Sequence, residues 1–114
     1  GIRELGLEQL PPELERFRKL EVLKASDNRI TQFPEFLCDL SNLEYLDLSD
    51  NPVRNLPEGL TRMENLQHLN LKGNRIKDVP QHVRPFLEQL EFVNLRGVGF
   101  TTEEDWDWFY SIHR

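Results

Sequence analysis

Hydrophobic positions along the chain fall into one recurring frame. In its central copy the apolar positions are Leu43, Leu46, Leu48, Val53, Leu56, Leu60 and Met63, with Asn51 and Pro57 as fixed non-core positions. One step earlier the frame reads Leu20, Leu23, Ala25, Asn28, Ile30, Phe33-Pro34, Leu37 and Leu40; one step later it reads Leu66, Leu69, Leu71, Asn74, Ile76, Val79-Pro80, Val83 and Phe86. The spacing of these copies is 23 residues, and a further copy, 24 residues on, brings Leu90, Val93, Leu95 and Phe100. In Leu46-Asp47-Leu48 apolar and polar residues alternate, the pattern of a short strand with one face inward. Each copy therefore predicts one strand of a parallel sheet, followed by a return arm that opens at a proline, a residue suited to a helix start and excluded from a central strand.

Asn28, Asn51 and Asn74 stand where the chain must turn out of the strand. An amide side chain carries two donors and an acceptor, so asparagine can satisfy turn backbone groups, and stacked copies predict a ladder. No single copy can bury its apolar face alone, so stability must come from neighbours. The frame divides the chain into a partial N-terminal unit (1–19), full units (20–42, 43–65 and 66–89), a degenerate last unit (90–100) and a C-terminal segment (101–114). In the first of these Leu5 replaces the asparagine, and Phe17 falls under Leu40 as an expected inward residue. Ala25 thins the core of the next unit, with Phe33 and Phe36 as expected fillers. Pro85 is expected to interrupt and kink any helix begun at Pro80. Val98 takes the asparagine position between Gly97 and Gly99, which marks the end of the array. After it, Thr101-Thr102-Glu103-Glu104-Asp105 offers two overlapping capping arrangements, Thr101 with Glu104 and Thr102 with Asp105. Trp106, Phe109, Tyr110 and His113 then recur at helical spacing, so a capping helix is predicted, with Trp108 off its apolar face.

The register LxxLxLxxNxL followed by a loose LPxxLxxL, over Leu7 to Phe100, resembles the leucine-rich repeat, in the subtype common in intracellular proteins. The resemblance implies an α/β fold: a solenoid with a curved parallel sheet on its concave face, short helices and turns on its convex face, and here a C-terminal capping helix. It also implies a non-enzymatic module whose relatives mostly bind other proteins, and it leaves the partner unnamed.

Composition narrows the function further. With 114 residues a single domain is expected, and no apolar run approaches the length of a membrane span, so membrane insertion is not expected. A net charge of −6 without clustered Lys and Arg argues against nucleic-acid binding and favours basic partner surfaces. The single Cys38 cannot form an internal disulfide, and extracellular relatives usually carry cysteine-stapled caps, so an intracellular, cytoplasmic location is expected. Gly1 in place of an initiating Met is expected of either an excised or a processed chain, and leaves open a targeting segment removed before it.

Catalytic chemistry has little to stand on. His68, His82 and His113 occupy different structural roles, and Cys38 lies on a return arm, so spacing sets up no nucleophile and base. No metal-ligand spacing and no phosphate-cradling glycine loop occurs, and no cofactor is expected. The informative positions are the strand residues that do not enter the core. Their columns are Val22, Tyr45, His68 and Phe92; Lys24, Asp47, Asn70 and Asn94; and Ser26, Ser49, Lys72 and Arg96. Parallel strands stack about 4.8 Å apart, so each column forms a stripe. The first carries aromatic residues where solvent favours polar ones, as a partner-binding surface would, although cross-strand packing alone also selects such residues. The candidate partner-binding residues are therefore Val22, Lys24, Tyr45, Asp47, His68, Asn70, Lys72, Phe92, Asn94 and Arg96. Two further contact regions are the open N-terminal end and the Trp108 edge. The alternatives to a free-standing binding module are a noncatalytic regulatory or substrate-positioning part of a larger enzyme, and a structural subunit of a permanent assembly.

Overall fold

The computed structural model describes residues 2–113; the expected segment ends at Gly1 and Arg114 lie outside them. Four three-residue strands, β1 (Val22–Lys24), β2 (Tyr45–Asp47), β3 (His68–Asn70) and β4 (Phe92–Asn94), form one parallel sheet in sequential order. Its register pairs Leu23 with Leu46, Leu46 with Leu69, and Leu69 with Val93. Sequential parallel order follows from a repeating unit in which every strand is followed by the same return arm.

The return arms are short 3-10 helices at Pro12–Arg16, Glu35–Asp39, Glu58–Arg62 and Gln81–Val83. Each begins at a proline whose carbonyl closes the first turn: Pro11, Pro34, Pro57 and Pro80 accept from Leu14, Leu37, Leu60 and Val83 N–H. A proline has no N–H to lose there, and its fixed φ suits the entry. Leu37, Leu60 and Val83 then lie fully buried against Leu46, Leu48, Leu69 and Leu71. In the unit that holds Ala25, Phe33 is buried and Phe36 half-buried against the core.

The asparagines form the expected ladder. Asn51 Nδ2 donates to the carbonyls of Leu48 and Ser49 in its own turn and to Ala25 in the preceding unit, while its Oδ1 accepts from Ile30 N–H at 3.1 Å. Asn74 repeats this one unit on, bonding Leu71 and Leu48 carbonyls and Val53 N–H. Asn28 extends it backwards, bonding Ile2 O and accepting from Leu5 and Leu7 N–H. A second column, absent from the frame as first read, joins the return arms: Asn42 and Asn65 donate to Arg18 and Ser41 carbonyls. The residue before each ladder position, Asp27, Asp50, Gly73 or Gly97, takes positive φ, between 56° and 88°. Aspartate tolerates that conformation and glycine adopts it freely. Gly73 is further constrained, because a Cβ there would collide with the Asp50 carboxylate.

At the N-terminus Ile2 and Glu4 N–H donate to Lys24 and Ser26 carbonyls, so this segment lies along the outer edge of β1. Phe17 departs from expectation. It is 56% exposed, because no preceding unit among the described residues lies against it.

At the other end Pro85 does not break the arm. It occupies the first turn of α1 (Arg84–Glu88), where a missing N–H costs nothing, so the arm changes from 3-10 to α geometry there. The cap helix α2 (Glu103–Ile112) uses only one of the two capping arrangements: Thr102 Oγ1 accepts from Asp105 N–H at 3.1 Å and donates to its carboxylate. Glu104 turns instead to Arg84 and Gln81. Asp105, almost fully buried, pairs with Arg84, which ties α2 to α1. Phe109 packs inward with half-buried Trp106, whereas Tyr110 is 62% exposed, stacking on Trp106 and meeting Phe109 edge-on. Trp108, expected off the apolar face, is half-buried against the core with the Arg84 guanidinium over its ring; its Nε1 has no hydrogen-bond partner among the described residues.

His113 completes the end of the sheet. Leu48 N–H donates to Asn70 O, and Leu71 N–H to Asn94 O. The next donor in that series, Leu95 N–H, donates to His113 Nε2 at 3.0 Å. An imidazole thus stands where a further strand's carbonyl would be.

Replacing Asn51 by Ala leaves buried donors and acceptors in two units without partners, each costing about 1–3 kcal/mol, so denaturant unfolding should show a loss of roughly 3 kcal/mol or more. Burial, followed by the Arg96 charge, lowers the His113 pKa from its ordinary 6.5. The unfolded chain therefore takes up that proton first as pH falls. The His113 contribution should be complete above pH 6.5 and decline through the lowered folded pKa. His113→Gln retains an acceptor without titration and should flatten this part of the stability–pH curve.

Candidate functional site

The register of β1 to β4 brings Val22, Tyr45, His68 and Phe92 onto one line across the sheet. Their side chains alternate with the core residues Leu23, Leu46, Leu69 and Val93, which places them on the opposite face. The three rings stack. Tyr45 and His68 centroids are 4.0 Å apart at 14°, and His68 and Phe92 are 4.2 Å apart at 11°. At the N-terminal side of the stack the Lys24 ammonium lies 5.5 Å from the centre of the Tyr45 ring. Val22 and Phe92 remain 51% and 40% exposed, so apolar surface is open at both ends of the line.

Packing between two rings sets the electrostatics of His68. Desolvation lowers its pKa, and the nearby Asp47 carboxylate opposes that only in part. The ring neighbours thus favour the neutral imidazole over its charged form.

The second column is partly committed to the fold. Asp47, Asn70 and Asn94 Oδ1 accept from Ser49, Lys72 and Arg96 N–H two residues on. These Asx turns fix the side chains and leave the amide donors of Asn70 and Asn94 for other groups. In the third column Lys72 and Arg96 are exposed, but Ser49, expected outward, is buried at 7% exposure. Ser49 stands at the turn where Asn51 gathers the backbone inward. Acidic Asp27, Asp47 and Asp50 thus lie towards the N-terminal half of this surface, with Lys72 and Arg96 towards the C-terminal half.

The Cys38 thiol is buried, and desolvation, followed by the charge of Glu35, pushes its pKa up to about 11, so it behaves as a packing residue. Among the described residues no group of three or more His, Cys, Asp or Glu is placed to hold a metal ion, and no helix is long and apolar enough to cross a membrane. The buried Arg84–Asp105 pair was invisible to spacing because its partners come from different units; Arg84 within a proline-bearing arm gave no signal of its own.

Comparison with known proteins agrees with the repeat geometry. Family profiles for leucine-rich repeats match residues 18–62, as two copies, and residues 62–79. The chain belongs to the leucine-rich repeat family. Among solved structures this leucine-rich repeat chain is similar to a leucine-rich repeat protein of Leptospira interrogans, with 26% identity and a TM-score of 0.72, over 91% of this chain and 26% of that one. It therefore spans about a quarter of that neighbour's length. No curated protein matches it. Leucine-rich repeat domains commonly mediate protein–protein interaction and are typically non-catalytic.

If stacking desolvates His68, its imidazole should titrate below 6.5 by NMR, and Tyr45→Ala, which uncovers one ring face, should move the value back towards 6.5.

Proposed function

We propose that this protein is a non-enzymatic binding module that holds a protein partner on the concave face of its sheet. The observation that carries this reading is the Tyr45–His68–Phe92 stack, a rigid aromatic surface aligned by backbone register and ending in exposed Val22 and Phe92. Rigid aromatic side chains lose little conformational entropy on binding, and interface energy concentrates in such anchors when polar groups surround them. Here the surround is Lys24, Asp47, Asn70 and Asn94, with Lys72 and Arg96 beyond. Asp47 and the Asn70 and Asn94 amides are oriented in advance by their own Asx turns, so a partner would meet fixed polar groups.

The charge of the face sets the orientation of the partner. Acidic Asp27, Asp47 and Asp50 favour a basic segment over β1 and β2, and Lys72 and Arg96 favour an acidic one over β3 and β4. We place the interaction inside the cell, in the cytoplasm, on the strength of the single unpaired Cys38.

The test uses the purified protein as bait in its native extract beside Tyr45→Ala/Phe92→Ala, with circular dichroism to verify folding. Partners held through the face should bind the double variant at least tenfold more weakly, as expected for losing about 1–2 kcal/mol at each anchor. Equal retention by both proteins would move the interaction off the concave face.

A further inference from the structure

The two edges of the sheet are closed differently. Along β1 the chain supplies its own cover, since Ile2 and Glu4 N–H bond the outward carbonyls of Lys24 and Ser26. Along β4 the one outward group satisfied among the described residues is Leu95 N–H, by His113 Nε2. The remaining groups follow from the ladder. Tyr45 N–H donates to Glu21 O, His68 N–H to Glu44 O and Phe92 N–H to Gln67 O, so the next acceptor in the series is Glu91 O. Phe92 N–H and Asn94 O both point to β3, and because alternate residues of a strand point to opposite sides, Val93 N–H and C=O point outward. Among the described residues Val93 N–H has no acceptor. An open groove of about 530 Å³ runs along this edge, lined by Glu91, Phe92, Val93, Arg96, Ile112 and His113.

We infer that this edge binds an extended segment of a partner protein as a short fifth parallel strand, and that the segment carries an aromatic residue preceded by a cation and followed by an acid. One residue of the segment would donate its N–H to Glu91 O and accept from Val93 N–H, the exchange that each internal strand makes with the next. That residue is in register with Phe92 and therefore with His68 and Tyr45. One face of the Phe92 ring is taken by His68, and the ring, 40% exposed, opens to the groove, so an aromatic side chain here extends a stack already spaced at 4.0 to 4.2 Å. Charge fixes the neighbours. Glu88 and Glu91 precede Phe92 and line the groove where a parallel segment starts, while the Arg96 cation lines it beyond the strand, beside the neutral His113 imidazole. His113 also ends the pairing, because its imidazole occupies the place of the carbonyl two residues beyond the aromatic, so the chain turns away from the edge at the acid, which contributes its carboxylate and no backbone pairing. The site is the sheet edge, distinct from the concave face proposed above, and shares with it only Phe92.

A fluorescein-labelled, end-blocked lysine-tryptophan-threonine-aspartate peptide provides the probe, with binding followed by anisotropy and by the Val93 amide in NMR. Saturation should slow hydrogen exchange at Val93. Methylating the backbone nitrogen of the peptide's tryptophan, which removes the donor to Glu91 O while leaving the protein untouched, should weaken binding roughly fivefold to tenfold. Exchanging the positions of lysine and aspartate should weaken it as well. Tyr45→Ala, remote from the edge, should leave the peptide affinity unchanged, which separates failure here from failure of the concave-face reading. No binding at about 1 mM peptide, or equal binding of the methylated peptide, would overturn the proposal.

Discussion

The hydrogen bonds of Asn51 and Asn74 are the constraint on which the rest of the molecule depends. Each repeat must turn out of its strand while its backbone is buried on both sides by neighbours, and buried peptide groups without partners are costly. A side-chain amide solves this in both directions at once, since Nδ2 reaches carbonyls of its own and the preceding unit while Oδ1 holds an N–H of the preceding unit. The ladder fixes the pitch between repeats. That pitch puts Tyr45, His68 and Phe92 at stacking distance, so the candidate binding surface follows from interactions on the other side of the strand.

The ends of the array show the same logic. Where the asparagine is replaced by Val98, the chain leaves the repeat and α2 takes over, bringing Phe109 onto the core and His113 onto Leu95 N–H at the edge of the sheet. Arg84 and Asp105 hold that helix in place through a largely desolvated pair. Removing one partner of such a pair is expected to be strongly destabilising because the other charge stays buried. Beside this closed end, the short stretch of β4 from Glu91 to Val93 retains strand-pairing capacity.

Much of this was legible in the chain itself. Core positions recur because each unit solves the same packing problem, so Leu43, Leu46, Leu48, Leu60 and Met63 could be assigned inward from spacing alone, as could the outward column that became the stack. What spacing missed lies where units differ or where a side chain answers to a distant one. Ser49 is buried at an outward position of the frame, at a turn whose carbonyl Asn51 holds. Trp108 is half-buried because Arg84, from another unit, covers it. Phe17 occupies an inward position of the frame yet stays exposed, since a frame specifies which face points to a neighbour but not whether a neighbour is there. Pro85 breaks a helix interior but suits a helix start, and the frame did not distinguish the two.

The most direct measurement is native-state hydrogen exchange at Ile30 and Val53, the amides held by Asn51 and Asn74 side chains at 3.1 and 3.0 Å. If the asparagine ladder binds the repeats into one cooperative unit, both amides exchange only through global unfolding, with the same free energy and denaturant dependence as the central core amide of Leu46. Exchange at Ile30 or Val53 through local opening, well below the global free energy, would contradict that, and would mean that leucine packing alone holds the repeats in register.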